Sequence, residues 1–377
     1  LGNEVGVFVS SDGGDRWDPL MNGLPTVPVD DIRVQPAYND LLIGTHGRGI
    51  WVLDDIAPLE QLASGSVMAG TPYLFLGGQA IQWRRRSIQE WTASAEFRLP
   101  NPPVGARIRY WIPDGFDVGG EPGDEPENQS AGDLEDPGGD ETADEGPRLE
   151  IEILTATGRP VRTLEGPATP GAHEVWWDFR IDPAYEPQEN QGAGARGPTV
   201  LPSVYQIQLA VGRTTMFGDL TVRQDPRIDV SRADLNARQL AMMSLYELQA
   251  PVYHASRAVE RIDLQLSDVE QVLRETSAIE SFGNELEGIK EELDDLGREL
   301  GRLGPARRSR QIEASTTRPT EDQLEDIERA WRDIPEIIGR LNALTLVRIP
   351  ALYRELNDER FPADPGDFLE VPRRRGG

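Results

Sequence analysis

The feature that most constrains the fold of this chain of 377 residues is a short turn motif near its start, Ser10-x-Asp12-x-Gly14-x-x-Trp17. It follows residues 5–10, whose β-branched and aromatic side chains favour a strand. An aspartate accepts hydrogen bonds from backbone N–H groups a few residues further on, and glycine tolerates a positive φ. The tryptophan ring packs back over such a turn. The motif therefore predicts a β-hairpin, and we interpret its four residues as structural.

Further strands are expected after this hairpin. Alternating apolar positions predict strands at Val29–Gln35, at 40–46 and at Ile50–Leu53, and a glycine-rich turn separates the last two. Pro58 and the small residues that follow it interrupt the pattern. We therefore interpret residues 1–57 as one β-unit and residues 58–70 as a linker.

Residues 71–228 are predicted to form an all-β domain. Short strands and turn signals alternate at the spacing typical of an immunoglobulin-like or fibronectin-like sandwich. An insertion at 114–147 has 13 Asp or Glu residues and no Lys or Arg, so we expect it to be a disordered loop. Trp176 and Trp177 are neighbours in a predicted strand and must point to opposite faces. We expect the pair to serve core packing, with at most one ring available to stack on a sugar.

From residue 229 the apolar period becomes helical and continues to about residue 360. Ser231 is placed to cap a first helix, which Pro251 should kink. A second helix is predicted at Ile279–Leu303, and Thr320 is placed to cap a third. Such helices make an antiparallel hairpin or a three-helix bundle. The arginine-rich run at 307–310 is expected to be a loop, and residues 361–377 a disordered tail.

Composition excludes several classes of function. The formal net charge of −27 argues against nucleic acid and anionic membranes as partners. No apolar run approaches the ~20 residues of a membrane span. The chain has no cysteine, which excludes disulfides and thiolate metal sites and fits an exported protein. No His, Asp or Glu spacing matches a metal-ligand set, so we expect no metal and no cofactor.

The order of motifs resembles a known family. The N-terminal turn motif has the pattern of an Asp-box, and the later runs are similar to the last blade and C-terminal half of bacterial sortilin-like β-propeller proteins with BNR repeats, many of which are labelled glycosyl hydrolases. The runs that carry the resemblance are Gly23-Leu24-Pro25, Gly44-Thr45-His46-Gly47-Arg48-Gly49-Ile50-Trp51, Trp177-Asp178-x-Arg180 and Asp225-Pro226-Arg227. The resemblance covers nearly the whole chain and concerns architecture more than chemistry.

The resemblance implies a mainly β chain with an α-helical C-terminal part: a terminal propeller blade, a sandwich and a helical bundle. A propeller needs several four-stranded blades, and residues 1–57 have room for about one. The chain is then expected to be the C-terminal fragment of an exported protein whose signal peptide lies upstream. Its expected partners are the remaining blades and a glycan, protein or peptide ligand.

Two functions remain open on this basis. The first is a non-catalytic structural module that binds proteins or glycans. The alternative is part of a glycoside hydrolase, similar to xyloglucanase or sialidase propellers, whose catalytic carboxylates lie upstream of residue 1. Glycosidases need two carboxyl groups across the scissile bond, and the resemblance assigns no such pair within this chain.

The local ligand-binding candidates flank Gly47 at a strand end. His46 could titrate near neutrality, and Arg48 could grip a carboxylate or a sugar hydroxyl. The competing interpretation is that this run makes a tight turn, with His46 hydrogen-bonded to a neighbour.

Carboxylates nearby are weaker candidates. Asp30 and Asp31 lie at a strand start, where a turn or strand-capping role is the competing interpretation. Asp54 and Asp55 follow the last predicted strand, and we expect them to pair with Arg48 or to cap that strand.

Overall fold

The computed structural model describes residues 1–68, 70–77, 80–84, 103–118, 147–186, 196–275, 279–356 and 366–374. The chain divides into two compact units: unit 1 comprises Leu1–Arg180 and Pro202–Arg227, and unit 2 comprises Ile181–Leu201 and Ile228–Gly377. Helices take up 39% of the structure and strands 27%. The chain thus contains both element types, and the expectation of a mainly β chain is not supported.

The N-terminal strands of unit 1 form two small antiparallel sheets. The first contains β1 (Gly2–Asn3), β2 (Gly6–Val9) and β3 (Asp18–Pro19), and the second contains β4 (Val29–Gln35), β5 (Asp40–Thr45) and β6 (Ile50–Leu53). Val7, Leu24, Val27 and Ile43 form a shared apolar core. A short helix, α1 (Ala57–Ala63), occupies part of the predicted linker. The strands predicted in this region are confirmed.

The remaining strands of unit 1 form two further sheets, one of five strands and one of three. They are β7 (Tyr73–Phe75), β8 (Ala80–Gln82), β9 (Ala106–Ile112), β10 (Arg148–Thr155), β11 (Pro160–Pro167), β12 (Gly171–Trp177), β13 (Val204–Val211) and β14 (Thr214–Gln224). One sheet has the order β11-β10-β13-β14-β8 and the other has the order β12-β9-β7. All pairings are antiparallel except that of β14 with β8. Of the predicted acidic insertion, residues 119–146 lie outside the described residues.

The sheets β11-β10-β13-β14-β8 and β12-β9-β7 share a core centred on Trp177, whose exposure is 0%. Its ring lies 5.2 Å from Tyr205 of β13 and 5.7 Å from Phe179. Its indole Nε1 donates a hydrogen bond to the carbonyl oxygen of Arg180 at 2.8 Å. The neighbouring Trp176 remains half-buried on the opposite face of the strand. The expectation that one ring of this pair points inward is confirmed.

Unit 2 is helical, with α2 (Arg232–Tyr246), α3 (Gln249–Glu275), α4 (Ile279–Leu303), α5 (Pro305–Ala314), α6 (Glu321–Ala343), a π-helical turn (Leu344–Arg348) and α7 (Ile349–Leu356). Ser231 caps α2, and Thr320 forms a full capping box on α6, as predicted. None of the helices in the described ranges combines the length and apolarity needed to cross a membrane.

Three expectations for the helical region are wrong. The first predicted helix is two helices, and Pro251 lies in the first turn of α3, where a missing N–H removes no helical hydrogen bond. The arginine-rich run at 307–310 lies within α5, not in a loop. The region therefore contains more helices than a hairpin or a three-helix bundle.

The third wrong expectation concerns the tail, because residues 366–374 are ordered against the helices. Asn342 donates to the carbonyl oxygen of Leu369 at 2.8 Å and accepts from its N–H at 2.9 Å. Leu369 and Val371 pack on the helical core. The two terminal guanidinium nitrogens of Arg374 each lie 2.7 Å from a carboxylate oxygen of Glu328. These isolated apolar residues gave no periodic signal in the sequence.

The Trp177→Ala substitution should lower the free energy of unfolding by about 3–5 kcal/mol, because it leaves a large cavity between two sheets. Trp176→Ala is the matched control, and it should cost less than half as much because that ring is only half-buried. Guanidinium chloride titration of both variants measures the difference. Equal losses would contradict the assignment of Trp177 as the central core residue.

Candidate ligand-binding cleft

The Asp-box residues act together in one hairpin turn. The hydroxyl of Ser10 donates to the Asp12 carboxylate at 2.9 Å and accepts from the N–H of Gly14 at 2.8 Å. The N–H of Arg16 also donates to Asp12, at 2.9 Å, and the Trp17 indole donates to the carbonyl oxygen of Gly14 at 3.1 Å. The Arg16 and Ser10 hydrogen bonds lower the pKa of Asp12. These contacts hold the turn in its conformation.

Two of the predicted site residues, His46 and Asp30, lie together at the surface. The His46 Nδ1 atom is 3.4 Å from an Asp30 carboxylate oxygen, and the side chains are 78% and 61% exposed. The backbone N–H of His46 donates to the carbonyl oxygen of Pro28 at 2.9 Å. An exposed pair of this kind contributes little energy, and its contacts are those of neighbouring strand ends.

The other two predicted site residues, Asp31 and Arg48, also contact residues that are close to them in the sequence. Asp31 is ion-paired with Arg33 of the same strand at 3.1 Å. Arg48 accepts a hydrogen bond at its carbonyl oxygen from the indole of Trp51 at 3.2 Å. Unit 1 contains a cleft lined by aromatic and charged side chains, which we call the aromatic cleft. Neither Asp31 nor Arg48 lines it.

This aromatic cleft has a volume of about 470 Å³ and lies beside β9 and β12. Its wall contains three aromatic rings, three carboxylates and two guanidinium groups. They are Tyr38, Trp83, Trp176, Asp40, Asp54, Asp55, Arg107 and Arg109. Rings and charges of both signs thus share one concave surface within a single unit.

A largely buried ion pair lines the aromatic cleft. The Arg109 guanidinium contacts the Asp55 carboxylate and also donates to the Asp55 carbonyl oxygen, at 3.1 Å. The side chains are only 18% and 11% exposed. Burial lowers the pKa of Arg109, and the charge of Asp55 partly opposes this shift. Asp55 has a φ of 52°, a region that aspartate tolerates, and its N–H donates to Asp40 at 2.9 Å.

A looser pair lies next to it, where Arg107 is 3.5 Å from an Asp54 carboxylate oxygen. Arg107 and Trp176 are register partners on neighbouring strands, and the guanidinium lies over the indole ring at 5.6 Å from its centroid. This distance is within the range of a cation–π contact. The expected pairing of Asp54 or Asp55 with Arg48 is wrong, because β9 supplies their partners.

Trp83 is held by residues that follow β14. The Arg227 guanidinium lies 5.2 Å from the ring centroid, and the Tyr38 ring lies 6.3 Å away. The carboxylate of Asp225, 1% exposed, accepts hydrogen bonds from Arg227 Nε at 2.8 Å and from the Arg84 N–H at 3.0 Å. The hydrogen bond from Arg227 holds the pKa of Asp225 well below its usual range.

Our sequence analysis missed most residues of this cleft. It selected Trp176 only as a weak sugar-stacking candidate and did not select Trp83, Arg107 or Arg109. One available signal was the alternation along β9, where Arg107 and Arg109 interrupt the buried Ala106, Ile108, Tyr110 and Ile112. Two arginines on one face of an otherwise apolar strand indicate that carboxylates lie opposite.

Within the described ranges, no group of three or more His, Asp and Glu side chains is arranged to hold a metal ion. Comparison with protein-family models, with curated proteins and with solved structures found no match. The resemblance to sortilin-like propellers therefore depends on the sequence motifs alone.

Arg109→Met should lower the free energy of unfolding by about 3–5 kcal/mol, because it leaves the buried Asp55 carboxylate without its partner. Arg107→Met should cost about 0–1 kcal/mol, because the Asp54 carboxylate stays hydrated. Denaturant titration of the two variants tests this difference. Similar losses of unfolding free energy would show that the Asp55 carboxylate does not require Arg109 as its partner.

Asp225→Asn should lower the stability of folded unit 1, and the size of this loss should depend on pH. A depressed carboxyl pKa stabilises the folded state above the unfolded pKa of about 3.9, and this contribution is lost as the pH falls. The difference in unfolding midpoint between wild type and variant should therefore be larger at about pH 6 than at about pH 3. A difference independent of pH would contradict the role assigned to the Asp225 charge.

Proposed function

We propose that this chain is a non-catalytic carbohydrate-binding module whose ligand occupies the aromatic cleft. The observation that carries the proposal is the presence of Trp83 and Trp176, together with Asp54 and Arg107, on the wall of one cavity. The volume of about 470 Å³ falls within the range of roughly 300–1,000 Å³ typical of small-molecule sites.

The chemistry of sugars fits such a wall. A pyranose ring has an apolar C–H face, which an indole ring removes from water, and an edge of hydroxyl groups, which need hydrogen-bond partners. Carboxylates accept from hydroxyl groups and guanidinium groups donate to them. Asp54 is about half exposed, so its carboxylate oxygens are accessible for this purpose.

The alternative function makes a different demand on the carboxylates. A glycosidase needs a general acid, and enzymes commonly raise the pKa of that carboxyl group. In the alternative, a glycoside hydrolase, the acid and its partner are supplied from outside this chain.

The proposal also concerns the partners of this chain and its location. The motifs that resemble sortilin-like proteins suggest further propeller blades as partners. Binding of a β-glucan or xyloglucan would suggest an exported protein, since these structural polymers lie outside the cell.

Calorimetric titration with cellohexaose and with a xyloglucan oligosaccharide tests the proposal. Trp83→Ala and Trp176→Ala should each weaken binding about tenfold or more, as expected for aromatic anchors. Phe217→Ala is the matched control, because this exposed aromatic residue of unit 1 lies outside the cleft, and its affinity should equal that of wild type.

The same samples are then assayed for new reducing ends. Hydrolysis by this chain would contradict the non-catalytic role. Absence of binding to both sugars, or binding that Trp83→Ala and Trp176→Ala leave unchanged, would contradict the assignment of the cleft.

A further inference from the structure

We infer that the aromatic cleft selects neutral sugars over sugars that carry carboxylates, because Asp54 and Asp55 already pair with the two arginines of its described wall. This inference rests on the proposed function and specifies its ligand class. It depends on how the charged groups of the cleft wall are paired. The Arg109–Asp55 pair is in close contact, whereas the Arg107–Asp54 pair is longer, at 3.5 Å.

Arg109 is unavailable to a ligand. Its guanidinium binds both the carboxylate and the carbonyl oxygen of Asp55, and its side chain is only 18% exposed. A ligand carboxylate that displaced Asp55 would leave a nearly buried charge without a partner, which is strongly unfavourable. Arg109 therefore serves the structure of the cleft and leaves recognition to other groups.

Arg107 is the guanidinium that a ligand could reach. Its contact with Asp54 is long, at 3.5 Å, and Asp54 is 52% exposed while Arg107 is 24% exposed. The same guanidinium lies over Trp176, so a sugar that contacts the exposed part of this ring would lie next to Arg107. An acidic group on that sugar would lie close to Arg107 and would compete with Asp54 for it.

The charge balance of the cleft opposes that competition. Among the described residues, its wall contains the carboxylates of Asp40, Asp54 and Asp55 against the guanidinium groups of Arg107 and Arg109. The nearby Arg227 is bound to Asp225. A ligand carboxylate thus meets an excess of like charge, whereas a neutral hydroxyl group gains hydrogen bonds to the same oxygens.

Asp54 is therefore the specificity-determining residue. Asp54→Asn keeps the shape of the side chain, removes its charge and releases Arg107 for a ligand carboxylate. The result should be a gain in affinity for an acidic sugar, which loss of packing or of stability would not produce. Asp31→Asn is the matched control, because Asp31 is also an exposed aspartate paired with an arginine in unit 1 and lies outside the cleft.

The probes are a cello-oligosaccharide and its C6-oxidised counterpart, a cello-oligouronate with the same β-1,4 linkages. Wild type and Asp31→Asn should bind the neutral sugar about tenfold or more tightly than the uronate. In Asp54→Asn the uronate should gain about tenfold in affinity, and added salt should reduce this gain because it screens the new charge contact.

The possible failures are distinguishable. Equal affinity of wild type for the two sugars, or an unchanged ratio in Asp54→Asn, overturns the selectivity. If Trp83→Ala and Trp176→Ala still weaken binding of the neutral sugar about tenfold or more, the proposed function survives that result. If wild type binds neither sugar, the proposed function fails and the inference fails with it.

Discussion

The buried ion pair between Asp55 and Arg109 is the interaction on which the architecture of unit 1 most depends. Asp55 follows the last N-terminal strand, and Arg109 lies on the central strand of the sheet β12-β9-β7. Neither charge can be left alone at this depth without a large loss of stability. The chain must therefore bring the end of β6 against β9. The cleft is the space that remains beside this junction.

The cleft walls are fixed by two different mechanisms. Trp176 is set by strand pairing, since its register with Arg107 places the ring beside that guanidinium. Trp83 is set by charge, since the buried Asp225 orients Arg227 over its ring. Rings that are held in place before a ligand arrives lose little conformational entropy on binding. Such preorganisation is what a carbohydrate-binding wall requires.

Local signals in the sequence predicted local structure well. The caps at Ser231 and Thr320 form as expected, because a capping residue and the N–H that it binds are separated by only three positions. The opposite orientation of Trp176 and Trp177 follows from strand geometry alone. Two expectations failed: a loop at 307–310, and disorder of the tail 361–377 in its described part, 366–374. Both concern segments whose order comes from packing against distant helices.

The sequence by itself determined the Asp-box turn, the helix caps and the alternation of buried residues along the strands, because each depends on neighbours within a few positions. It selected His46, Arg48, Asp30 and Asp31 as site residues because they cluster along the chain. Only the tertiary structure decided the cleft. Its ion pair joins residues 54 positions apart, and the contact between Arg84 and Asp225 spans 141 positions. Pairings over such separations depend on how the sheets assemble, which local pattern does not specify.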